Sequence, residues 1–150
     1  MNIQRVKLGA KITLYNGIYM VILGIFYILS TQLNMANNFN AVKLIWKNFV
    51  KYNPKIANIF FFYNITQGIL LVCVGIFVIY LSYFIIKRKE KMAWIIMFLS
   101  GIIAWASILT ISIIMQNILL IILNFIGWLT FIIGMILPIK YYAVKRYREY

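Results

Sequence analysis

Histidine is missing from this 150-residue chain, and carboxylates nearly so: Glu90 and Glu149 are the only acidic side chains. Catalysis needs groups that move protons, attack as nucleophiles or hold a metal. Neither acid falls inside an apolar run, so the carboxylate or imidazole on which proton-coupled transport usually relies is missing too. The single cysteine, Cys73, lies inside an apolar run with no base beside it. It forms no intramolecular disulfide and is too few for a metal site. No glycine-rich phosphate loop occurs. Lysine and tyrosine remain as reactive groups, and nothing singles one out. The expectation is a chain that is not an enzyme and has no cofactor and no metal.

Charge is also scarce. Charged residues make up 11% of the chain and hydrophobic ones 65%, whereas a soluble domain carries about 25% charged residues. Water does not solvate such a chain as a monomer; lipid does. The net charge of +13 raises nucleic acid as a partner, but the lysines and arginines all lie between or beyond the apolar runs. They read as topology signals and contacts to anionic lipid headgroups, with no nucleic acid expected.

Four apolar segments stand out, at about 12–30, 56–86, 92–115 and 118–139, within one domain. A helix crosses the ~30 Å hydrocarbon core in about 20 residues. The second segment is longer and should tilt or protrude. Barrel strands would alternate in polarity over ~10 residues, which these runs do not. Arg5, Lys7 and Lys11 resemble the charged start of a signal peptide. The apolar stretch after them exceeds the usual ~7–15 residues and lacks a small-residue cleavage pattern, so a retained span is expected. The expected fold is all-α: an integral membrane bundle of four antiparallel transmembrane helices, with an amphipathic interfacial helix between spans 1 and 2.

Eleven of the fifteen basic residues fall on one side of such a bundle. They are Arg5, Lys7 and Lys11; Lys87, Arg88, Lys89 and Lys91; and Lys140, Lys145, Arg146 and Arg148. The other side has Lys43, Lys47, Lys51 and Lys55. The positive-inside rule then puts both termini in the cytoplasm of a cell-membrane protein. Trp94, Tyr141 and Tyr142 would form an inner aromatic belt, and Phe60 to Tyr63 an outer one. The short turns at Lys87–Lys91 and Gln116–Asn117 imply adjacent hairpins.

Small and polar residues fall on one face of each span, since residues seven apart nearly align on a helix. The faces are Ala10, Thr13, Gly17, Gly24 and Thr31; Asn64, Gly68, Gly75 and Ser82; Ala93, Ser100, Ala104 and Ser107; and Gly127, Gly134 and Pro138, flanked by Asn124 and Thr130. In lipid, helices associate through close backbone approach and interhelical hydrogen bonds. Gly17, Gly24, Gly68, Gly75, Gly127 and Gly134 are therefore assigned to helix packing. The Gly-Ile spacings at 17–26 and 68–77 match on oppositely running spans, as an inverted repeat would, but among 31 isoleucines a chance match is the expectation.

Asn64, Gln67, Ser107, Thr110 and Asn124 form a candidate intramembrane polar cluster in the outer half. Such groups should turn inward and bond to each other or to water, as a clasp or as a shallow cavity for a headgroup or small polar molecule. Ser112 lies at similar depth, and Asn16 near the inner end of span 1 is read as a cap or clasp. Between the first two spans, Lys43, Lys47 and Lys51 recur every four residues, with Lys55 following, opposite a face of Val42, Ile45, Trp46 and Phe49 that Leu44 interrupts. That pattern predicts an amphipathic helix over 39–55 with Trp46 at headgroup level, contacting headgroups or an acidic partner. Asn53-Pro54 should end it.

The stretch from Gln67 to Trp105, with Lys87-Arg88-Lys89-Glu90-Lys91-Met92-Ala93-Trp94 at its centre, resembles the middle hairpin of small bacterial four-span proteins, which implies no function. Small multidrug exporters would need a glutamate in the first span, and quinone-linked disulfide-forming enzymes paired cysteines. The leading expectation is a non-catalytic accessory, assembly or immunity-type membrane protein that packs against a partner membrane protein. The alternative is a small channel, transporter or lipid-binding protein working as a homo-oligomer.

Overall fold

The computed structural model describes residues 2–41 and 45–144. Val42, Lys43 and Leu44 of the expected amphipathic helix, and Lys145, Arg146, Arg148 and Glu149 of the tail, lie outside the described residues. The described elements are all helices: α1 (Asn2–Leu29), α2 (Thr31–Ala41), α3 (Trp46–Tyr52), α4 (Pro54–Arg88), α5 (Lys91–Ile114), α6 (Ile118–Ile136) and α7 (Ile139–Val144). Four stretches, α1, α4, α5 and α6 with its continuation to Tyr142, are long and apolar enough to cross a membrane.

Polarity is distributed the opposite way from a water-soluble bundle. Thr13, Asn16, Asn64, Ser82, Ser112 and Asn124 are buried, while Ile22, Leu29, Ile59, Ile103 and Ile118 are exposed. Apolar surface is not penalised against lipid, and buried polar groups supply cohesion there. The chain is thus built as a multi-pass membrane protein.

The first hairpin is held by glycine. A Cβ added at Gly17 would meet the Gly75 carbonyl at 3.0 Å, and one at Gly24 the Gly68 carbonyl at 2.7 Å. Residue numbers rise on α1 as they fall on α4, and both glycine pairs are spaced by seven. The repeated Gly-Ile spacing in the sequence therefore marks one continuous helix crossing. α6 also packs on α1, where the Gly9 and Gly134 backbones approach. Between α5 and α6 the packing is of another kind. Trp105 of α5 fills the space over Gly127, and Phe131 of α6 fills the space over Gly101. Both aromatic side chains are fully buried.

This exchange turns α5 away from the expected face. The helix buries Ala93, Met97, Gly101, Trp105 and Ser112. Ser100 and Ala104 are half-buried and Ser107 is exposed. Closer fit of two large rings into two glycine gaps outweighs a seam of small residues.

The outer connection also departs from expectation. Helix α1 is prolonged by α2: Ser30 N–H bonds to Phe26 O and Asn34 N–H to Ser30 O, so helical bonding runs through the joint. The single helix expected over 39–55 does not form. Ile45 is extended (φ −94°, ψ 114°), and α3 covers only seven residues. The cause is aromatic clustering. Phe39 packs on Trp46 (4.8 Å between ring centres), Phe49 (4.7 Å) and Phe60 (5.8 Å). These rings bring α2, α3 and the second turn of α4 together. Pro54 then starts α4, where its missing N–H costs nothing.

Helix α4 has 35 residues, roughly 52 Å at 1.5 Å per residue. Together, α1–α2 and α4 overrun the shorter α5 and α6. The extra length carries the aromatic cluster.

Candidate functional site

The intramembrane amides bond between helices. Asn64 of α4 donates to Tyr27 O at 2.9 Å and Thr31 Oγ1 at 3.1 Å. Asn124 of α6 donates to the Tyr27 hydroxyl at 3.0 Å and to Ser112 Oγ of α5 at 2.7 Å. Tyr27 thus links two amides from two helices, one through its carbonyl and one through its phenol. Asn124 Oδ1 is buried with no partner among the described residues. Asn16 of α1 donates to Gly127 O at 2.7 Å and Thr130 Oγ1 at 2.8 Å, and accepts from Trp105 Nε1 at 3.1 Å. One turn nearer the start of α1, Thr13 and Ser82 share a hydrogen bond of 2.9 Å.

The five residues proposed as one polar cluster therefore separate. Asn64 and Asn124 are buried in clasps joined by Tyr27. Gln67 is half-buried and makes no hydrogen bond among the described residues. Ser107 is exposed and bonds only to Ile103 O of its own helix. Thr110 is exposed. Sequence reasoning missed Tyr27, Trp105 and Tyr19, whose hydroxyl donates to Leu123 O at 2.9 Å. Their aromatic bulk hides them among lipid-facing residues. The one available signal was that Tyr27 falls four residues before Thr31, itself on the small face.

Gln67 instead stands where two voids meet. A cavity of about 330 Å³ is lined by Met35, Asn38, Phe49, Phe60, Asn64 and Gln67 among others. A cleft of about 510 Å³ runs between α4 and α5, lined by Leu70, Val74, Ser100, Ala104, Ser107 and their neighbours. Tyr63, Gln67 and Ile111 line both. Voids of about 300–1,000 Å³ with mainly apolar walls and a few polar groups are of ligand-binding size. Towards the other end α4 and α5 close, with Ser82 Oγ 3.4 Å from Met97 Sδ and Val78 and Met97 fully buried.

Lys47, Lys51 and Lys55 are exposed. They lie on α3 and the first turn of α4, the elements that supply Phe49 and Phe60 to the cavity wall. At the opposite end, Trp94 stacks on Tyr142 with ring centres 5.3 Å apart, and Tyr141 packs edge-on against Tyr142. The described residues hold no group of three or more His, Cys, Asp or Glu able to bind a metal.

Comparison with family models, curated proteins and solved structures gives no match.

Proposed function

We propose that this chain is a non-catalytic protein of the cell membrane that acts by packing and binding, in an accessory, assembly or immunity-type role, with both termini in the cytoplasm. The observation that carries this reading is the use of the intramembrane amides. Asn16, Asn64 and Asn124 each bond to another helix, so the polar groups most suited to a transport path are committed to holding the bundle together. The orientation is supported by the eleven basic residues grouped at the termini and the α4–α5 turn.

The test is native mass spectrometry of the protein gently extracted from its own membrane, beside flux assays on the pure protein in vesicles. A stoichiometric partner protein with no solute flux is the expected result. Solute movement or substrate turnover by the protein alone would overturn the reading.

A second reading, a lipid-binding protein, is favoured by one specific observation. The α4–α5 cleft and the cavity walled in part by Phe49 of α3 share Tyr63, Gln67 and Ile111, so a mainly apolar slot adjoins a void that holds Asn38 and Asn64 in its wall.

A further inference from the structure

The depth of the cleft identifies what it can hold. On α4 its lining runs from Tyr63 to Val74, and on α5 from Ser100 to Ile111. Each stretch is eleven residue steps, about 16 Å at 1.5 Å per residue. The hydrocarbon core is ~30 Å thick, so the cleft is one leaflet deep. Its lining ends at Val74 and Ser100, and beyond that end α4 and α5 touch at Ser82 and Met97. A partner helix crossing the membrane would need a groove of about twice this length. The acyl chain of a lipid in one leaflet needs this length and no more.

The mouth indicates the headgroup. Gln67 carries a carboxamide with no side-chain hydrogen bond among the described residues, and it lines both the apolar cleft and a mainly apolar cavity whose wall includes Asn38 and Asn64. Every charged residue between Thr31 and Gln67 is a lysine, and the stretch from Ser107 to Asn124 has no charged residue. Those among the described residues, Lys47, Lys51 and Lys55, flank Phe49 and precede Phe60, both in the cavity wall. No carboxylate at this end competes for them.

We propose that the α4–α5 cleft is a binding site for one acyl chain of an anionic membrane lipid. The headgroup lies at the Gln67–Asn38 mouth, and Lys47, Lys51 and Lys55 balance its charge. The proposal rests on the reading of the chain as a binding protein and deepens it by naming the ligand class.

The experiment reconstitutes the protein in phosphatidylcholine nanodiscs doped with phosphatidylglycerol and counts retained lipids by native mass spectrometry. The expected result is one retained phosphatidylglycerol, favoured over phosphatidylcholine by about tenfold or more. Ala104→Phe, which fills the cleft, should abolish retention. Ala106→Phe, at an exposed position outside the lining, should not. Should Ala104→Phe fail to fold, Ser107→Leu blocks the same cleft at an exposed position without touching an interhelical bond. Replacing Lys47, Lys51 and Lys55 together by Gln should keep a bound lipid but remove the preference for the anionic one.

Equal retention by the cleft-blocking variants, or no retained lipid, would overturn the proposal. So would a dimer that Ala104→Phe breaks, since a helix of a second copy would then fill the cleft. Each of these results leaves the non-catalytic reading standing, because that falls only to flux or turnover.

Discussion

Asn16 of α1 accepts the indole N–H of Trp105 of α5, 3.1 Å away. The same amide donates to Gly127 O and Thr130 Oγ1 of α6, so one side chain joins three helices. Asn16→Leu leaves a fully buried indole N–H unpaired, and an unpaired buried donor costs about 1–3 kcal/mol. Tyr19→Phe, by contrast, removes a single interhelical bond to Leu123 O, and such bonds average about 0.6 kcal/mol in membrane proteins. Unfolding in mixed micelles should rank Asn16→Leu clearly above Tyr19→Phe. Equal losses would mean that Asn16 is no more than one more interhelical contact.

The glycine crossing makes a prediction about additivity. A Cβ at Gly68 would sit 2.7 Å from the Gly24 carbonyl, and one at Gly24 2.7 Å from the Gly68 carbonyl. Backbone cannot rotate aside, so either substitution must push α1 from α4. Gly68→Ala should cost about 1–3 kcal/mol, the range for overpacking. The double variant with Gly24→Ala should cost less than the sum, since the first change already opens the space for the second. Additive losses in a double-mutant cycle would show that the two glycines act separately.

These two contacts show what could be read from the sequence and what could not. The apolar runs were long enough to reveal four spanning helices, and glycines seven apart on spans 1 and 2 lay on the face that forms the crossing. The partner of each glycine was not legible. Nor was the true face of α5, because it depends on Trp105 and Phe131 finding glycine gaps on the facing helix, a match that one helix's periodicity does not contain. Tyr27 was hidden for a similar reason: half of its role belongs to its backbone carbonyl, which every residue has. Helix α2 escaped notice because Thr31–Ala41 has no apolar run and forms as a continuation of α1. The polar cluster failed as a unit because depth was legible and azimuth was not, so Ser107 and Thr110 are exposed, Ser107 in the α4–α5 cleft, while Asn124 is buried.

That division of the amides can be tested residue by residue. Gln67→Leu should leave stability nearly unchanged, within about 0.5 kcal/mol, as for a substitution that removes no buried contact. Asn64→Leu should cost more, since Tyr27 O and Thr31 Oγ1 both lose their interhelical donor. Asn124→Leu should fall between the two. It removes two donated bonds but also removes a buried carbonyl oxygen that has no partner among the described residues, and the two effects partly cancel. Thermal unfolding of the three variants in one detergent gives the order. A Gln67→Leu loss as large as that of Asn64→Leu would return Gln67 to the structural clasp and remove it from the cleft mouth.

Orientation yields the last prediction. The lysines of α3 lie at the end of the bundle where α1 finishes and α4 begins, while Arg88 and Lys91 lie where α4 finishes and α5 begins. The positive-inside rule counts basic residues in short loops near the ends of spans, and the α4–α5 turn and the termini carry the larger share. With Cys73 replaced by Ser, a single Lys51→Cys should react with a membrane-impermeant maleimide in intact cells. A single Lys89→Cys should react only after the membrane is opened. Both positions are accessible from water in the folded bundle, at least in part, so a difference reports the membrane and not burial. The reverse pattern would place the Gln67 end of the cleft in the cytoplasmic leaflet. The acyl-chain site would then draw on the lipids of that leaflet, and its geometry would be unaffected, because the one-leaflet depth of the cleft is set by α4 and α5 alone.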